Sequence, residues 1–524
     1  MTPAPQPLLQ TLAFFGCLGM GILIFMLRPA SWEGALNDWP RLYGEPERVV
    51  TMTPEEAQRV LEAYALLDST EVSPPSSDSD LVQSKVEKQK EAVTPAQAPP
   101  TDAPEAARDE AAGYDRQAVD QFLHETLQLQ GSKVAFTTLG SFFAALNSEN
   151  RKPPIHVLHF GDSQIEGDRI TGYLRNAWQG IWGGGGPGFI SPASPIPSLA
   201  MRQSWSGEWE RYARFGKKDS TLDHNRYGLM AAFIQPAVAQ TDSVATGSSL
   251  HFEPHPKGYR RNQQFNQLHV LLGKTDSSTV LNYALNGEDE IALPLPADSI
   301  SQSIAIPLLG LDSIPFQSLD LRFTGGQPEV NGVGMWADSG IVVHNLAMRG
   351  SSGTLFRQLH REQFVEQLHA LNTELVILQY GGNTVPYITE VKAAKRYGGW
   401  FASQIKLFQQ SLPGVPILVI GPSDMARKSG TLMETYPQLT WVRDALKEAA
   451  WDTNALYWDV FEVMGGPGSM AAWVQSEPAL ASADHIHFTP RGAKQIAELL
   501  RQSIQAEWTL WQNTQAEQTL VDAP

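Results

Sequence analysis

HFGDSQIEGD, residues 159–168, directly follows the apolar run IHVL and precedes RITGYLRNAW, a stretch with helical spacing. The reading is a strand that turns into a helix with Gly161, Asp162 and Ser163 at the turn. Gly tolerates a sharp turn and Asp or Ser caps a following helix, which would be a purely structural use of these residues. The same junction also suits a nucleophile, because a tight turn exposes a hydroxyl while nearby backbone N–H groups face developing negative charge. The rest of the chain separates the two readings.

Two further apolar runs end in small or polar residues, ELVILQYGGN (374–383) and VPILVIGPSD (415–424). Helix-like segments such as GTLFRQLHREQFVEQLHAL and GWFASQIKLFQQSL lie between them. Near-continuous apolar strands alternating with amphipathic helices predict an α/β unit, its parallel sheet covered on both faces. TPRGAKQIAELLRQSI begins with Thr489 as a capping residue and closes that layer. Between about Trp205 and Asp338 the texture changes to short alternating runs (LHVLLGK, STVLNYAL, SIAIPLL, SLDLRFT) broken by Gly, Asp, Asn and Ser. These predict an antiparallel β-sandwich inserted in the α/β unit.

A chain of 524 residues, 42% hydrophobic, can bury more than one core. Its formal charge of −17 and pI near 5.2 argue against a nucleic-acid partner, which needs a basic face. The lone cysteine, Cys17, excludes an intrachain disulfide and any cysteine-based metal site. Cys17 lies in LLQTLAFFGCLGMGILIFML (8–27), an uncharged run long enough to cross a bilayer. No Lys or Arg precedes it, so an uncleaved anchor fits better than a signal peptide, and lipid attachment at Cys17 fits less well. The basic residues that follow the run mildly favour the opposite orientation to that of an exported enzyme.

The expected order is an anchor (1–30), a short juxtamembrane helix (31–68) and a disordered linker (69–112). The first part of the α/β domain (113–200), the inserted sandwich (201–340), the second part (341–510) and a flexible tail (511–524) follow. The linker is assigned from runs such as SPPSSDSD and TPAQAPPTDAPEAARDEA, which bury too little apolar surface to offset their ordering entropy.

A serine hydroxyl needs a base to take its proton and a third group to orient the base. ASADHIHFTPRGA puts Asp484 three residues before His487, close enough for a carboxylate to fix the imidazole tautomer. His485 competes, but its adjacency to Asp484 makes that orientation less natural. Donors for an oxyanion are available in GGN, where Asn383 carries a side-chain amide, and in HNLAMRGSSG, where Gly350 offers a backbone N–H. Taken singly, GGN is equally a turn, and DHIH is equally loop surface or half a metal site.

In their joint order these elements resemble the SGNH, or GDSL, hydrolase superfamily. GDS with Ser163, Gly350, GGN with Asn383, and DHIH with Asp484 and His487 match its four signature blocks, across about residues 154–200 and 341–503. The resemblance implies a flavodoxin-like three-layer fold with Ser163 as nucleophile, His487 as general base and later acid, and Asp484 as its partner. The backbone N–H groups of Ser163 and Gly350 and the Asn383 side chain would form the oxyanion hole, with Gly353 the competing glycine. No cofactor or metal is implied.

Nearly two hundred residues separate the first two blocks, where the family usually has a few tens. The insertion is similar to the carbohydrate-binding-type sandwich of peptidoglycan O-acetylesterases of the Ape type, although Gln164 stands where those often have His. The resemblance implies removal of O-acetyl groups from a cell-envelope glycan, with acetylated peptidoglycan as substrate, at the inner membrane with the catalytic domain in the periplasm. An acetyltransferase using the same serine and a non-catalytic glycan-binding protein remain as alternatives. Trp205, Trp209, Tyr212 and Trp336 are either sugar-stacking or core residues of the sandwich.

Overall fold

The computed structural model describes residues 128–521 apart from 150–152, 216–220, 238–246, 299, 307 and 309–314. The expected anchor, juxtamembrane helix and linker lie outside the described residues. Among those described, no helix is long and apolar enough to cross a membrane.

Five parallel strands form the central sheet in the order Ile341–Ala347, Ile155–Gly161, Thr373–Gln379, Ile417–Ile420, Leu456–Trp458. Numbered along the chain this order is 2-1-3-4-5, the doubly wound pattern whose switch point lies beside the first strand. Both sheet faces are covered, which is why the strands read as apolar runs and not as alternations. Leu158, Phe160, Val376, Leu378 and Val419 pack on one face against Phe364, Phe401 and Phe408. Val157, Ile377, Leu418 and Ile420 pack on the other against Phe142, Leu174, Trp178 and Leu500.

Some of the helices start at side-chain caps. The Ser132 side chain accepts the Ala135 N–H at 3.2 Å to open Lys133–Asn147. The Thr489 hydroxyl accepts the Gly492 N–H at 3.2 Å ahead of Pro490, the first residue of the last helix. That helix runs from Pro490 to Val521, which corrects the expectation of a flexible tail from 511. Its continuation is held by packing, since Trp508 and Trp511 both meet Phe143, at 5.5 and 6.1 Å between ring centroids.

The insertion is two antiparallel sheets around a shared core that includes Leu250, Phe252, Val270, Leu321, Phe323 and Val333. One sheet has the order Arg202–Ser206, Ser248–Glu253, Leu319–Thr324, Val280–Leu285, Ile291–Pro294. In Ser248–Glu253 and Leu319–Thr324 buried and half-buried residues alternate strictly, as one covered face requires. The other sheet includes Val330–Trp336, which also pairs with Gly188–Ile190, so sandwich pairing begins before residue 201.

Of the four aromatics weighed as sugar contacts, three go to the interior or its margin. Trp336 is buried among His156, Phe189 and His269; Trp209 sits edge-on to Phe323; and Tyr212 stacks on Phe233. Trp205 stays 45% exposed.

Candidate active site

At the switch point the first strand ends in Gly161-Asp162-Ser163 and its neighbour Thr373–Gln379 ends in Tyr380-Gly381-Gly382-Asn383, so the two loops face each other. Gly381 adopts φ +124°, and a Cβ there would lie 2.9 Å from Leu446, so this close turn requires glycine. After Ser163 the chain makes a single 3-10 turn, Glu166–Asp168, before the helix Thr171–Trp182 begins. Ser163 therefore sits on the turn itself, well before the helix N-terminus.

The loop 482–488 brings the histidine. Ser163 Oγ lies 2.8 Å from His487 Nε2, and His487 Nδ1 lies 2.6 Å from Asp484 Oδ2. Asp484 Oδ1 also accepts the backbone N–H groups of Ile486 (2.9 Å) and His487 (3.0 Å), which fixes the carboxylate against the ring. Burial alone would push the Asp484 carboxyl up. The bond from the His487 ring and these backbone donors outweigh burial and hold it below the usual carboxylate range. His485 is turned away: it is buried, with φ +56°, and its backbone donates to Ser482.

The two candidate glycines separate cleanly. Gly350 lines the cleft beside Ser163 and His487, has φ +75°, and a Cβ there would meet nothing within 4 Å. Gly353 packs under Tyr380 and Phe401, and its N–H is taken by the Ser351 hydroxyl at 3.1 Å. Among the described residues the N–H groups of Ser163 and Gly350 have no acceptor, so both are available to a bound ligand. Arg349 clamps Glu166 with contacts of 2.6 and 3.0 Å, tying the Gly350 loop to the Ser163 turn.

Asn383 reaches the site with both amide hydrogens engaged. Nδ2 donates to Asp162 Oδ2 at 3.0 Å and to the Ser351 carbonyl at 3.2 Å. Asp162 was read from the sequence only as a turn or capping residue; its Oδ1 also accepts the Gln164 N–H at 3.0 Å, making it the support of both the turn and Asn383. Burial pushes its carboxyl up to about 6, against the pull of those donors and of His487.

Two other residues, to which the sequence reading gave no such role, join the Ser163 turn to the His487 loop. Gln164 Nε2 donates to the Ile486 carbonyl at 2.7 Å, and Arg169 donates to the carbonyls of Phe488 and Ser163, each at 2.9 Å. Their polarity within GDSQIEGDR was visible, but their acceptors at Ile486 and Phe488 lie more than three hundred residues away. The cleft that results has a volume of about 290 Å³. Among the described residues no group of three His, Cys, Asp or Glu side chains is arranged to hold a metal ion.

Such an arrangement can pass a proton from a hydroxyl to an imidazole and offer donors to an anionic adduct. No family model and no curated protein sequence matches the chain. Among solved structures, a peptidoglycan O-acetylesterase superposes with a TM-score of 0.55 at 20% identity, over 73% of this chain and 99% of that one. A salicylyl-acyltransferase from a tetracycline biosynthetic pathway also matches, at 14% identity and a TM-score of 0.27, over 61% of this chain and 96% of that one. A family two carbohydrate esterase from Cellvibrio japonicus matches at 8% identity and a TM-score of 0.21, over 59% and 98%. The last two superpose too loosely to bear on the fold. Taken with the 2-1-3-4-5 sheet, the first of these likenesses shows that the chain shares the fold of that esterase, a three-layer α/β unit interrupted here by an antiparallel β-sandwich.

Proposed function

We propose that this chain is a serine esterase that removes O-acetyl groups from a cell-envelope glycan, peptidoglycan being the substrate. The observation that carries the proposal is the continuous relay from Ser163 Oγ through the His487 ring to Asp484, beside two unoccupied backbone donors. Ser163 attacks the ester carbonyl while His487 Nε2 takes its proton and Asp484 holds the Nδ1–H. The resulting oxyanion faces the N–H groups of Ser163 and Gly350. Collapse of the adduct expels the sugar alcohol, which receives its proton from His487. Water then attacks the acetyl-serine with His487 as base, releasing acetate and restoring the hydroxyl.

Asn383 joins the oxyanion donors by giving up its longer bond, the one to Ser351, while Asp162 keeps the amide oriented. Asn383→Ala is expected to lower kcat on p-nitrophenyl acetate about 10²- to 10³-fold with KM little changed. An unaltered kcat in steady-state kinetics would remove Asn383 from the machinery.

The substrate class is supported by the likeness to a peptidoglycan O-acetylesterase over nearly all of that chain. It is tested by incubating the full chain with O-acetylated peptidoglycan and following free acetate by mass spectrometry, with and without an unacetylated glycan acceptor. Free acetate is expected in both cases. Acetyl groups appearing on the acceptor in place of acetate would make the protein a transferase, and no release at all would overturn the substrate. An envelope location, with residues 8–27 as the membrane tether, belongs to the same proposal. Recovery of the full chain in the soluble fraction of cells would overturn that part.

A further inference from the structure

Tyr387 is 82% exposed, the most exposed of the large apolar side chains among the described residues, and it lines the same cleft as Ser163, Asn383 and His487. A ring this open gains nothing from the protein core. The other exposed aromatics are differently situated: Trp205, Trp400 and Trp451 do not line the cleft, and Trp451 carries the Lys447 ammonium 5.1 Å from its ring. The Tyr387 side chain makes no hydrogen bond among the described residues, so neither its face nor its hydroxyl is spent internally.

Its backbone is constrained. Tyr387 closes the 3-10 segment Gly382–Tyr387, immediately after Pro386, whose ring restricts the backbone. The same short segment carries Asn383, so the Tyr387 backbone stays close to the Asn383 end of the cleft. The rest of the lining combines apolar surface from Tyr380, Pro422, Met425 and Ile486 with hydrogen-bonding groups at Gln164, Arg349, Ser423 and the open backbone at Gly350. An exposed aromatic ring in such a mixed lining suits a ligand with an apolar face and a polar edge. A pyranose ring has that form, with C–H bonds on its faces and hydroxyls around its rim.

We infer that Tyr387 is the platform on which the ring of the ester-bearing sugar stacks, and that it selects glycan esters over small acyl esters. The inference rests on the esterase reading and sharpens it, locating sugar recognition on the α/β unit at the mouth of the cleft and not on the sandwich. Stacking of this kind costs little conformational entropy, since a tyrosine has few rotatable bonds.

The test compares the full chain with Tyr387→Ala, Tyr387→Phe and Trp205→Ala on two substrates, O-acetylated muropeptide and p-nitrophenyl acetate. The readout is the ratio of kcat/KM on the muropeptide to kcat/KM on the small ester. Tyr387→Ala is expected to lower that ratio roughly 5- to 10-fold, mainly through KM on the muropeptide, a size consistent with loss of one aromatic contact. Tyr387→Phe keeps the ring and should stay within about twofold of the parent ratio, as should Trp205→Ala on the sandwich edge. An unchanged ratio in Tyr387→Ala, or equal losses on both substrates, would overturn the inference while leaving the esterase reading intact. A fall confined to Trp205→Ala would move sugar recognition to the sandwich. If the parent protein cleaves the small ester but not the muropeptide, the substrate reading fails and the inference fails with it.

Discussion

Replacing Ser163 by Ala should abolish measurable turnover of p-nitrophenyl acetate, a loss on the order of 10⁴- to 10⁶-fold in kcat. The hydroxyl 2.8 Å from His487 Nε2 is the group for which the imidazole is aligned, and alanine leaves that base with no proton to take. Removing the nucleophile of a relay costs about as much as dismantling the relay, because its members act as a unit. Ser163 lies on a half-buried turn supported by Asp162, Gln164 and Arg169, none of which bonds to its hydroxyl. The variant should therefore match the parent in circular dichroism and in its denaturation midpoint. Parent-like turnover by folded Ser163→Ala would leave the esterase reading without a nucleophile.

The second large effect is on stability. Arg175 is fully buried and grips Asp168 through both terminal nitrogens, one contact at 3.1 Å, while also donating to the Val343 carbonyl at 3.1 Å. Gly172 lies directly under the carboxylate, where a Cβ would come within 2.6 Å of Asp168 Oδ2. Burial drives the Asp168 carboxyl upward in spite of the guanidinium, so the pair is held against a heavy desolvation cost. Arg175→Met strands that carboxylate and should destabilise the protein by about 3–5 kcal/mol in urea denaturation. Adding Asp168→Asn should recover much of the loss, because no charge is then left in the interior. A change below about 1 kcal/mol in the single variant would mean that the site relaxes or admits water.

How much of this was legible in the sequence depended on how local each signal was. The blocks that carry the proposed triad could be picked out because each is compact: Asp484 and His487 are three residues apart, and the Asn383 turn carries its own glycines. The sandwich was legible through the period of two in its strands. Two strands of the parallel sheet escaped. IVVHNLA (341–347) follows sandwich strands without a break in texture, and Leu456–Trp458 is only three residues long, too short for any period to register. The positioning roles of Asp162, Gln164 and Arg169 were out of reach for another reason. Their partners at 383, 486 and 488 become neighbours only through the topology. Gly350 and Gly353 were indistinguishable as letters, and the structure separates them by the fate of one N–H each.

The insertion also shapes how this protein can assemble. The strand Ile155–Gly161 and its sheet neighbour Ile341–Ala347 are divided by the whole sandwich, yet Ile190 is registered opposite Val333 within it. A closed sandwich thus brings both exits of the inserted segment together and leaves only short arms to search for one another. Since the entropy of closing a loop grows with its length, collapse of the insert ahead of the parallel sheet would turn this long-range pairing into a nearly local one. The inserted unit would then serve the α/β layer as a built-in template for its first crossover.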